Sequence, residues 1–371
     1  MEAVVVGAGI GGLSAALALR RAGWAVTVLE RAPRFDPLGA GITLQGNAMR
    51  GLDALGAGDA VRALGRVDAP GGIRTPDGRW LSRIDAGRLE SELGTAALGI
   101  HRADLHRVLL DAVLAPEQSG GGRAARVVAG TPVSDVPEAD LVVGADGIDS
   151  TIRALRWPGV APPADQGSTA WRGVTDQPWT GGDLAVSISW GRGAEFGIVP
   201  LGDRRVYWYG AVNAPPGTHD PERVRQLFGD WHRPIPALIG TTSVVLQHDL
   251  RYLPEPLPTY VNGNVALLGD AAHAMTPNLG QGAAQAIEDA VVLGMSCPAG
   301  RDIAEGLREY DARRRPRSQA IATASYRIGR FGQQLSNPLL VAARNALMRL
   351  APPRVALRSM ARYADWSPVD N

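Results

Sequence analysis

The sequence predicts an α/β fold. A Rossmann-like dinucleotide-binding domain is discontinuous along the chain, a β-rich second domain is interleaved with it, and a helical segment closes the C-terminus. Three observations predict this. A βαβ unit begins at the first residues, strand–turn–helix patterns return near 141–153 and 264–282, and between about 165 and 250 the pattern changes to short β-branched and aromatic segments.

Residues 3–6 (Ala-Val-Val-Val) read as a short buried strand, followed by a glycine-rich turn and an Ala/Leu helix from about Gly11 to Ala22. Residues 25–30 give a second strand, and a polar, glycine-rich stretch leads to a helix near Asn47–Leu55. Residues 104–114 read as helix, 141–145 and 264–268 as buried strands, and a long helix starts at Gly282. Segments 184–190 and 205–212 are punctuated by Pro and Gly and suit antiparallel strands. The stretch 304–362 is helical and Arg-rich, with a break at Pro352-Pro353. Within it, Arg313-Arg314-Arg315 reads as a solvated helix end, and 331–362 is expected to pack on the dinucleotide domain.

At 371 residues, 45% hydrophobic and 20% charged, the chain has ordinary globular composition, and a net charge of +1 does not suggest nucleic acid or an anionic membrane as partner. The single cysteine, Cys297, leaves no internal disulfide and no cysteine-based metal site, which fits a reducing cytoplasm. No lysine is present, so Schiff-base chemistry and Walker-type phosphate binding are excluded. The apolar N-terminus does not read as a signal peptide, since Glu2 replaces a basic region and Gly7 and Gly9 break the run. No apolar stretch of about 20 residues suits a bilayer span.

Gly7-Ala8-Gly9-Ile10-Gly11-Gly12 fits G-x-G-x-x-G. Gly7 permits the turn, Gly9 admits a pyrophosphate to the backbone, and Gly12 lets helix and sheet pack closely. Glu30, 18 residues past Gly12, ends the second strand where an acid can bind a ribose diol. Gly269-Asp270 follows the 264–268 strand, and Pro277-Asn278-Leu279-Gly280-Gln281-Gly282-Ala283 opens the next helix. Asp270 sits where a carboxylate can accept from polyol hydroxyls. Gly280 and Gly282 let the backbone pass a flat ring, and the helix start supplies partial positive charge. His273 is better explained as a packed or surface residue than by chemistry. Asp146-Gly147-Ile148-Asp149-Ser150-Thr151-Ile152-Arg153 fits D-G-x-x-S-x-x-R, with Ser150 suited to cap the next helix.

In this order and spacing, over roughly residues 1–330, the three motifs resemble the class A FAD-dependent monooxygenases, the aromatic hydroxylases with the para-hydroxybenzoate hydroxylase fold. Gly39-Ala40-Gly41-Ile42-Thr43-Leu44 with Asn47-Ala48, Arg102 with Leu105, and the segments 198–200 and 206–209 agree with it. The resemblance implies that Gly7, Gly9, Gly12, Glu30 and Arg31 bind the adenosine half of FAD, and that Gly41 belongs to a cofactor-side strand. It places Arg102 and Asp270 at the pyrophosphate–ribityl region, and Gly280, Gln281, Gly282 and Ala283 at the pyrimidine edge. It associates Asp146 with both FAD and the nicotinamide cofactor, NADH or NADPH. The divisions expected are 1–70, 96–165 and 255–330 for the FAD-binding domain, 71–95 and 166–254 for the substrate domain, and 331–371 for C-terminal helices. Gly46 and Ala284 depart from the family's usual proline and asparagine, and 120–139 is short for the usual strands.

The implied reaction uses NAD(P)H and O2 to hydroxylate or epoxidise a small aromatic or polycyclic substrate through a flavin C4a-hydroperoxide. Pro277 is then expected over the flavin face. Tyr207 and Tyr209 share one sheet face, and Tyr209 lies either in the pocket or in ordinary core. Arg172 meets either a substrate anion or a surface acid, while Thr43 and Gln45 are weaker candidates. No metal site, nucleic acid or transmembrane segment is expected, and the protein is expected to be a cytoplasmic monomer or homodimer. Two other readings stay open: an FAD-linked oxidase or dehydrogenase, and a non-catalytic flavin-binding protein. A flavin halogenase would need a lysine beside the substrate.

Overall fold

A computed structural model describes residues 1–35, 40–67, 71–84, 97–116, 125–217, 220–352 and 361–368. The first sheet has the order β15-β16-β9-β1-β2-β8. It contains β1 (Glu2–Val6), β2 (Ala25–Leu29), β8 (Arg126–Val128), β9 (Leu141–Gly144), β15 (Val261–Asn262) and β16 (Val265–Leu267). All pairings are parallel except β15 with β16. β9 and β16 are buried along their whole length, as parallel strands covered on both faces must be. The helices α1 (Ile10–Arg21) and α9 (Gly282–Ser296) cross closely on this sheet. A Cβ at Gly294 would come within 2.9 Å of the Ala18 methyl, so glycine there sets the approach.

The second sheet has the order β14-β10-β13-β12-β11-β5-β6. Its strands are β5 (Gly71–Arg74), β6 (Trp80–Ile84), β10 (Ala164–Val174), β11 (Ser187–Trp190), β12 (Ala194–Pro200), β13 (Val206–Asn213) and β14 (Val245–Tyr252). Pairing is antiparallel except between β5 and β11. Alternation divides its faces. Trp171, Phe196 and Trp208 go to a core shared with Phe228 and Leu238, where Phe196 stacks on Trp208 at 5.4 Å. Phe228 and Leu238 come from α6 (Arg223–Phe228) and α7 (Ile235–Gly240), two helices not expected inside the β-rich region.

Between the sheets lies a three-stranded sheet, β3-β7-β4, formed by Gly41–Leu44, Leu98–His101 and Arg66–Val67. Gly99 lets it approach β12, since a Cβ there would lie 2.4 Å from the Pro200 carbonyl oxygen. The remaining helices are α2 (Gly46–Ala54), α3 (Gly58–Leu64), α4 (Arg102–Leu114), α5 (Thr151–Arg156), α8 (Asp270–His273), α10 (Ile303–Phe331) and α11 (Pro338–Leu350).

Two expectations about the C-terminal part are corrected. The helical stretch breaks after Phe331 and restarts at Pro338, capped by the Asn337 side chain, because Gly332 ends α10. Nor does α11 pack on the dinucleotide domain: it lies by β6, and Arg344 stacks over Trp190 of β11 at 5.3 Å. Among the described residues the chain after it returns, where Arg50 donates to the Trp366 carbonyl and the Trp366 ring joins the first core. A third correction concerns Arg314. It is 1% exposed in the middle of α10, paired with Glu288 at 2.5 Å and Asp289 at 2.7 Å. It is not a solvated helix end, because two acids on α9 sit directly beneath it. Residues 353–360, 85–96 and 117–124, over which the C-terminal, domain and short-strand expectations also ran, lie outside the described residues.

Candidate active site

A cavity of about 840 Å³ runs between the two large sheets, and its two ends are built differently. At one end the wall is largely backbone. Gly9, Gly41, Ala145, Gly147, Gly269, Gly280 and Gly282 line it, together with Ala283. Gly7 turns at φ +101°, and a Cβ at Gly12 would lie 1.9 Å from the Gly7 carbonyl oxygen, so the turn requires glycine at both positions. A Cβ at Gly9, Gly147 or Gly282 would meet nothing within 4 Å, so free space stands over the backbone there. The N-terminus of α9 has no side-chain cap, leaving its first N–H groups for a ligand.

Charged groups complete this end. Asp270 and Arg102 line the cavity, both exposed, and neither has an ion-pair or side-chain hydrogen-bond partner among the described residues. Glu30 accepts from the backbone N–H of Ala8 at 2.7 Å and of Ala32 at 2.8 Å, which fixes its carboxylate beside the glycine turn. Glu30 and the exposed Arg31 stand beyond the cavity wall, at the edge of the first sheet. Gly41 has a second duty, because a Cβ there would come within 2.5 Å of the Tyr207 side chain.

Two predicted residues face inward instead. Asp146 does not line the cavity. Its carboxylate accepts from the Ser150 hydroxyl at 2.5 Å and the Ile152 N–H at 3.1 Å, so it holds the start of α5 while Ala145 and Gly147 face the cavity. Ser150 caps α5 as expected, accepting from the Arg153 N–H at 2.9 Å. Buried Arg153 then donates to the Ala271 carbonyl at 2.9 Å, tying this motif to the loop that carries Asp270. Gln281 is likewise behind the wall, donating to Gln45 Oε1 and accepting from Asn47, both at 2.8 Å.

That contact opens onto a network the sequence reading missed. Asn47 donates to Glu288 at 2.6 Å, and Gln285 donates to the same carboxylate at 2.9 Å. Arg314 bridges Glu288 and Asp289, and Arg317 adds a contact to Glu288 at 2.7 Å. Asp289 in turn accepts from the Gly269 N–H at 2.9 Å and pairs with His273 at 2.6 Å. The network therefore holds the Gly269-Asp270 loop and the Gly280–Gly282 loop on one ionic frame, and His273 is a packed structural residue within it. Burial pushes Asp289 upward, but His273, Arg314 and the hydrogen bonds outweigh it and hold the carboxyl down at about 2. Glu288 is also held below its ordinary value, with Arg314 and Arg317 outweighing burial. The signal for this frame was an acidic pair, Glu288-Asp289, inside an otherwise apolar helix.

At the other end the wall is one face of the second sheet. Arg172 pairs across from Tyr209, and Tyr209 from Gly197, where a Cβ would strike the tyrosine ring at 2.0 Å. One pleat further along, Ala170, Ala211 and Glu195 form the next row. All except Gly197 line the cavity, and Arg172 has no acid partner among the described residues. Burial raises the Tyr209 phenol well above its ordinary value, Glu195 and Tyr207 add to the effect, and Arg172 opposes it. Pro277, in a short 3-10 turn, also lines the cavity, as do Thr43 and Gln45. Ile328 and Phe331 of α10, with Met348 and Ala351 at the end of α11, extend the cavity as an apolar arm.

Cys297 is buried and its thiol is pushed up to about 12 by desolvation, so it is no nucleophile. Among the described residues no cluster of His, Cys, Asp or Glu is arranged to hold a metal, and no helix is long and apolar enough to cross a membrane.

Comparison with known proteins places this geometry. A family model described as an FAD binding domain matches residues 1–325. The chain is 38% identical over 369 residues to the aurachin C monooxygenase/isomerase of Stigmatella aurantiaca, covering 94% of each. It is 34% identical to the 2-heptyl-3-hydroxy-4(1H)-quinolone synthase of Pseudomonas aeruginosa, covering 95% of this chain and 94% of the relative. The crystal structure of Klebsiella pneumoniae HpxO complexed with FAD and uric acid superposes with a TM-score of 0.87 at 26% identity, covering 98% of this chain and 96% of that one.

Proposed function

The chain belongs to the FAD binding domain family and is an FAD-dependent monooxygenase of the class A type, and from that premise we propose that it hydroxylates a neutral, bicyclic heteroaromatic compound bearing an apolar chain, of the 4-quinolone kind. One observation carries the substrate class: the cavity that is lined by Arg172 and Tyr209 is lined also by the apolar arm of Ile328, Phe331, Met348 and Ala351. A small aromatic acid would leave that arm empty, whereas an alkyl or prenyl tail would fill it and gain roughly 0.8 kcal/mol for each buried methylene. The relative named a 2-heptyl-3-hydroxy-4(1H)-quinolone synthase is consistent with the same reading.

FAD fits the backbone end of the cavity, where glycines leave open space and an uncapped helix meets it. When bound there, FAD supplies the redox chemistry that accepts hydride from NAD(P)H, the family's usual reductant, and activates O2. The residues of the chain would do the rest. Gly7, Gly9 and Gly12 admit the pyrophosphate to the start of α1, and Glu30, already anchored by two amides, offers its remaining lone pairs to the ribose. Arg31 adds positive charge beside the adenosine half. Arg102 neutralises phosphate charge, and Asp270 accepts from hydroxyls of the linking chain. Gly280, Gly282 and Ala283 let a flat ring lie against the α9 N-terminus, whose dipole favours negative charge on that ring edge, while Gln281 locks the loop from behind. Pro277 presents a rigid apolar surface that excludes water beside the reacting face. Arg172 donates to a substrate oxygen on the sheet side.

The test is a visible spectrum of the purified protein followed by NADH and NADPH oxidation with 2-heptyl-4(1H)-quinolone, urate and salicylate. Flavin bands, oxidation accelerated by the quinolone, and a product heavier by one oxygen atom are expected. Acceleration by urate or salicylate alone would overturn the substrate class.

A further inference from the structure

Glu195 stands on the substrate side of the cavity with no task in the scheme above. It is 4% exposed yet lines the cavity, on the same sheet face as Tyr209 and one row from Arg172. Trp190, directly opposite on β11, donates its indole N–H to Glu195 Oε2 at 3.1 Å. Trp190 is itself wedged between Phe331, edge-on at 6.4 Å, and Arg344, so the carboxyl is fixed in place. The second oxygen, Oε1, accepts from no described residue, and no arginine or histidine pairs with the group. Its other neighbours in the row, Ala170 and Ala211, offer nothing polar. Desolvation pushes the carboxyl up to about 7, with only the Trp190 hydrogen bond opposing. An acceptor on the cavity wall that the protein itself leaves without a donor would be completed by a donor that the substrate brings.

We propose that Glu195 selects the substrate, its free oxygen accepting a hydrogen bond from a ring N–H of a neutral heteroaromatic compound. The assignment rests on the monooxygenase reading and deepens it. Arg172 on β10 supplies a donor and Glu195 on β12 an acceptor, in adjacent rows of one face with β13 between them, so the pair suits a ring that carries a carbonyl oxygen and an N–H at opposite sides. An aromatic carboxylate would set a second negative group near an acid that has no cation of its own, and burial makes that pairing unfavourable. The apolar arm beyond Phe331 receives the tail once the N–H is docked, so recognition of ring and chain come from adjacent parts of one wall.

The experiment uses FAD-loaded enzyme and a matched pair of probes, 2-heptyl-4(1H)-quinolone and its N-methyl derivative, with salicylate as the acid. Binding is read from the perturbation of flavin absorbance, turnover from NADH and NADPH oxidation. At pH 8, where the carboxyl is ionised, wild type is expected to bind the N–H probe about 10- to 100-fold more tightly than the N-methyl probe, the usual range for a hydrogen bond to a charged group. Glu195→Leu should bring that ratio near unity while leaving N-methyl binding intact or improved, which a merely misfolded variant would not do. Glu195→Gln keeps an acceptor in the same place and should keep part of the ratio. A ratio that survives Glu195→Leu, or a wild type without any ratio, overturns the assignment while the monooxygenase reading stands, as does salicylate binding more tightly than the N–H probe. If no compound in the set binds or accelerates NAD(P)H oxidation, the substrate class and this assignment fall together.

Discussion

The molecule buries carboxylates in two regions and treats them in opposite ways. On the cofactor side, Glu288 and Asp289 are fully buried beside Arg314, with Arg317 and His273 adding contacts, and both are held below their ordinary values. On the substrate side, Glu195 is almost as deeply buried, has one neutral donor, and is driven up to about 7. Desolvation acts upward in all three. The difference is the partner: charge supplied from α10 reverses the effect in one place, and its absence leaves the effect intact in the other. A buried acid whose needs are met from within the fold is scaffolding, whereas one left incomplete on a cavity wall is where a ligand is expected.

The largest effect should come from removing the shared cation. Arg314→Met keeps much of the volume but leaves two acids buried with fewer partners, and should cost about 3–5 kcal/mol. Urea denaturation measures it, and FAD retention should fall with it, because Asp289 no longer steadies the Gly269 loop. Adding Glu288→Gln and Asp289→Asn to that variant should recover part of the loss; no recovery would mean that Arg314 acts through packing alone. The same frame predicts acid behaviour. Since the Asp289 carboxyl is depressed to about 2, its contribution is complete above the ordinary value of 3.8 and is lost as pH falls toward 2.

Glu195 should show the reverse sign. Its folded value lies above the unfolded one, so the folded state holds the extra proton between about 4.5 and 7 and wild-type stability falls as pH rises through that window. The cost is absent below the window and complete above it, on the order of 3 kcal/mol. Glu195→Gln should therefore be more stable than wild type at pH 8 but not at pH 4, as read by urea midpoints in the FAD-loaded protein. Equal differences at both pH values would show that the carboxyl does not titrate in this range.

The contrast between the two regions also explains what the sequence made legible. Backbone chemistry is local. Gly7, Gly9 and Gly12 announce a turn at fixed spacing, and Ser150 announces a helix start, so the cofactor end could be read residue by residue. Tyr209 and Arg172 were legible as residues but not as pocket, because strand alternation gives two faces and only the pairing of β10 with β13 and β12 says which one faces the cavity. Glu195 gave no signal at all; an acid in a strand reads as solvent-facing until its neighbours are known. Arg314 misled for the same reason, since Arg313-Arg314-Arg315 looks like surface charge and the acids that bury its middle member lie on another helix, 25 and 26 residues away.

Smaller effects separate cofactor binding from substrate binding. Asp270 has no protein partner among the described residues, so Asp270→Ala should leave the fold intact and weaken FAD about 10- to 100-fold, as loss of a charged hydrogen-bond acceptor would. Titration of FAD-stripped protein by flavin fluorescence measures this. A variant that retains full flavin and normal turnover would displace Asp270 from the cofactor site.

The smallest and most discriminating change is Tyr209→Phe. The ring lies over Gly197 and remains there, so packing is conserved, and only the phenol hydroxyl, which has no hydrogen-bond partner among the described residues, is lost. If that hydroxyl touches the substrate, kcat/KM for the quinolone should fall about 2- to 10-fold with FAD affinity unchanged, the scale of one neutral hydrogen bond. The combination with Glu195→Leu then tests whether the two side chains act on the same ring. Independent contacts should give multiplying losses, whereas a ring gripped jointly should lose less in the double variant than the product of the two, because releasing one edge already frees the other.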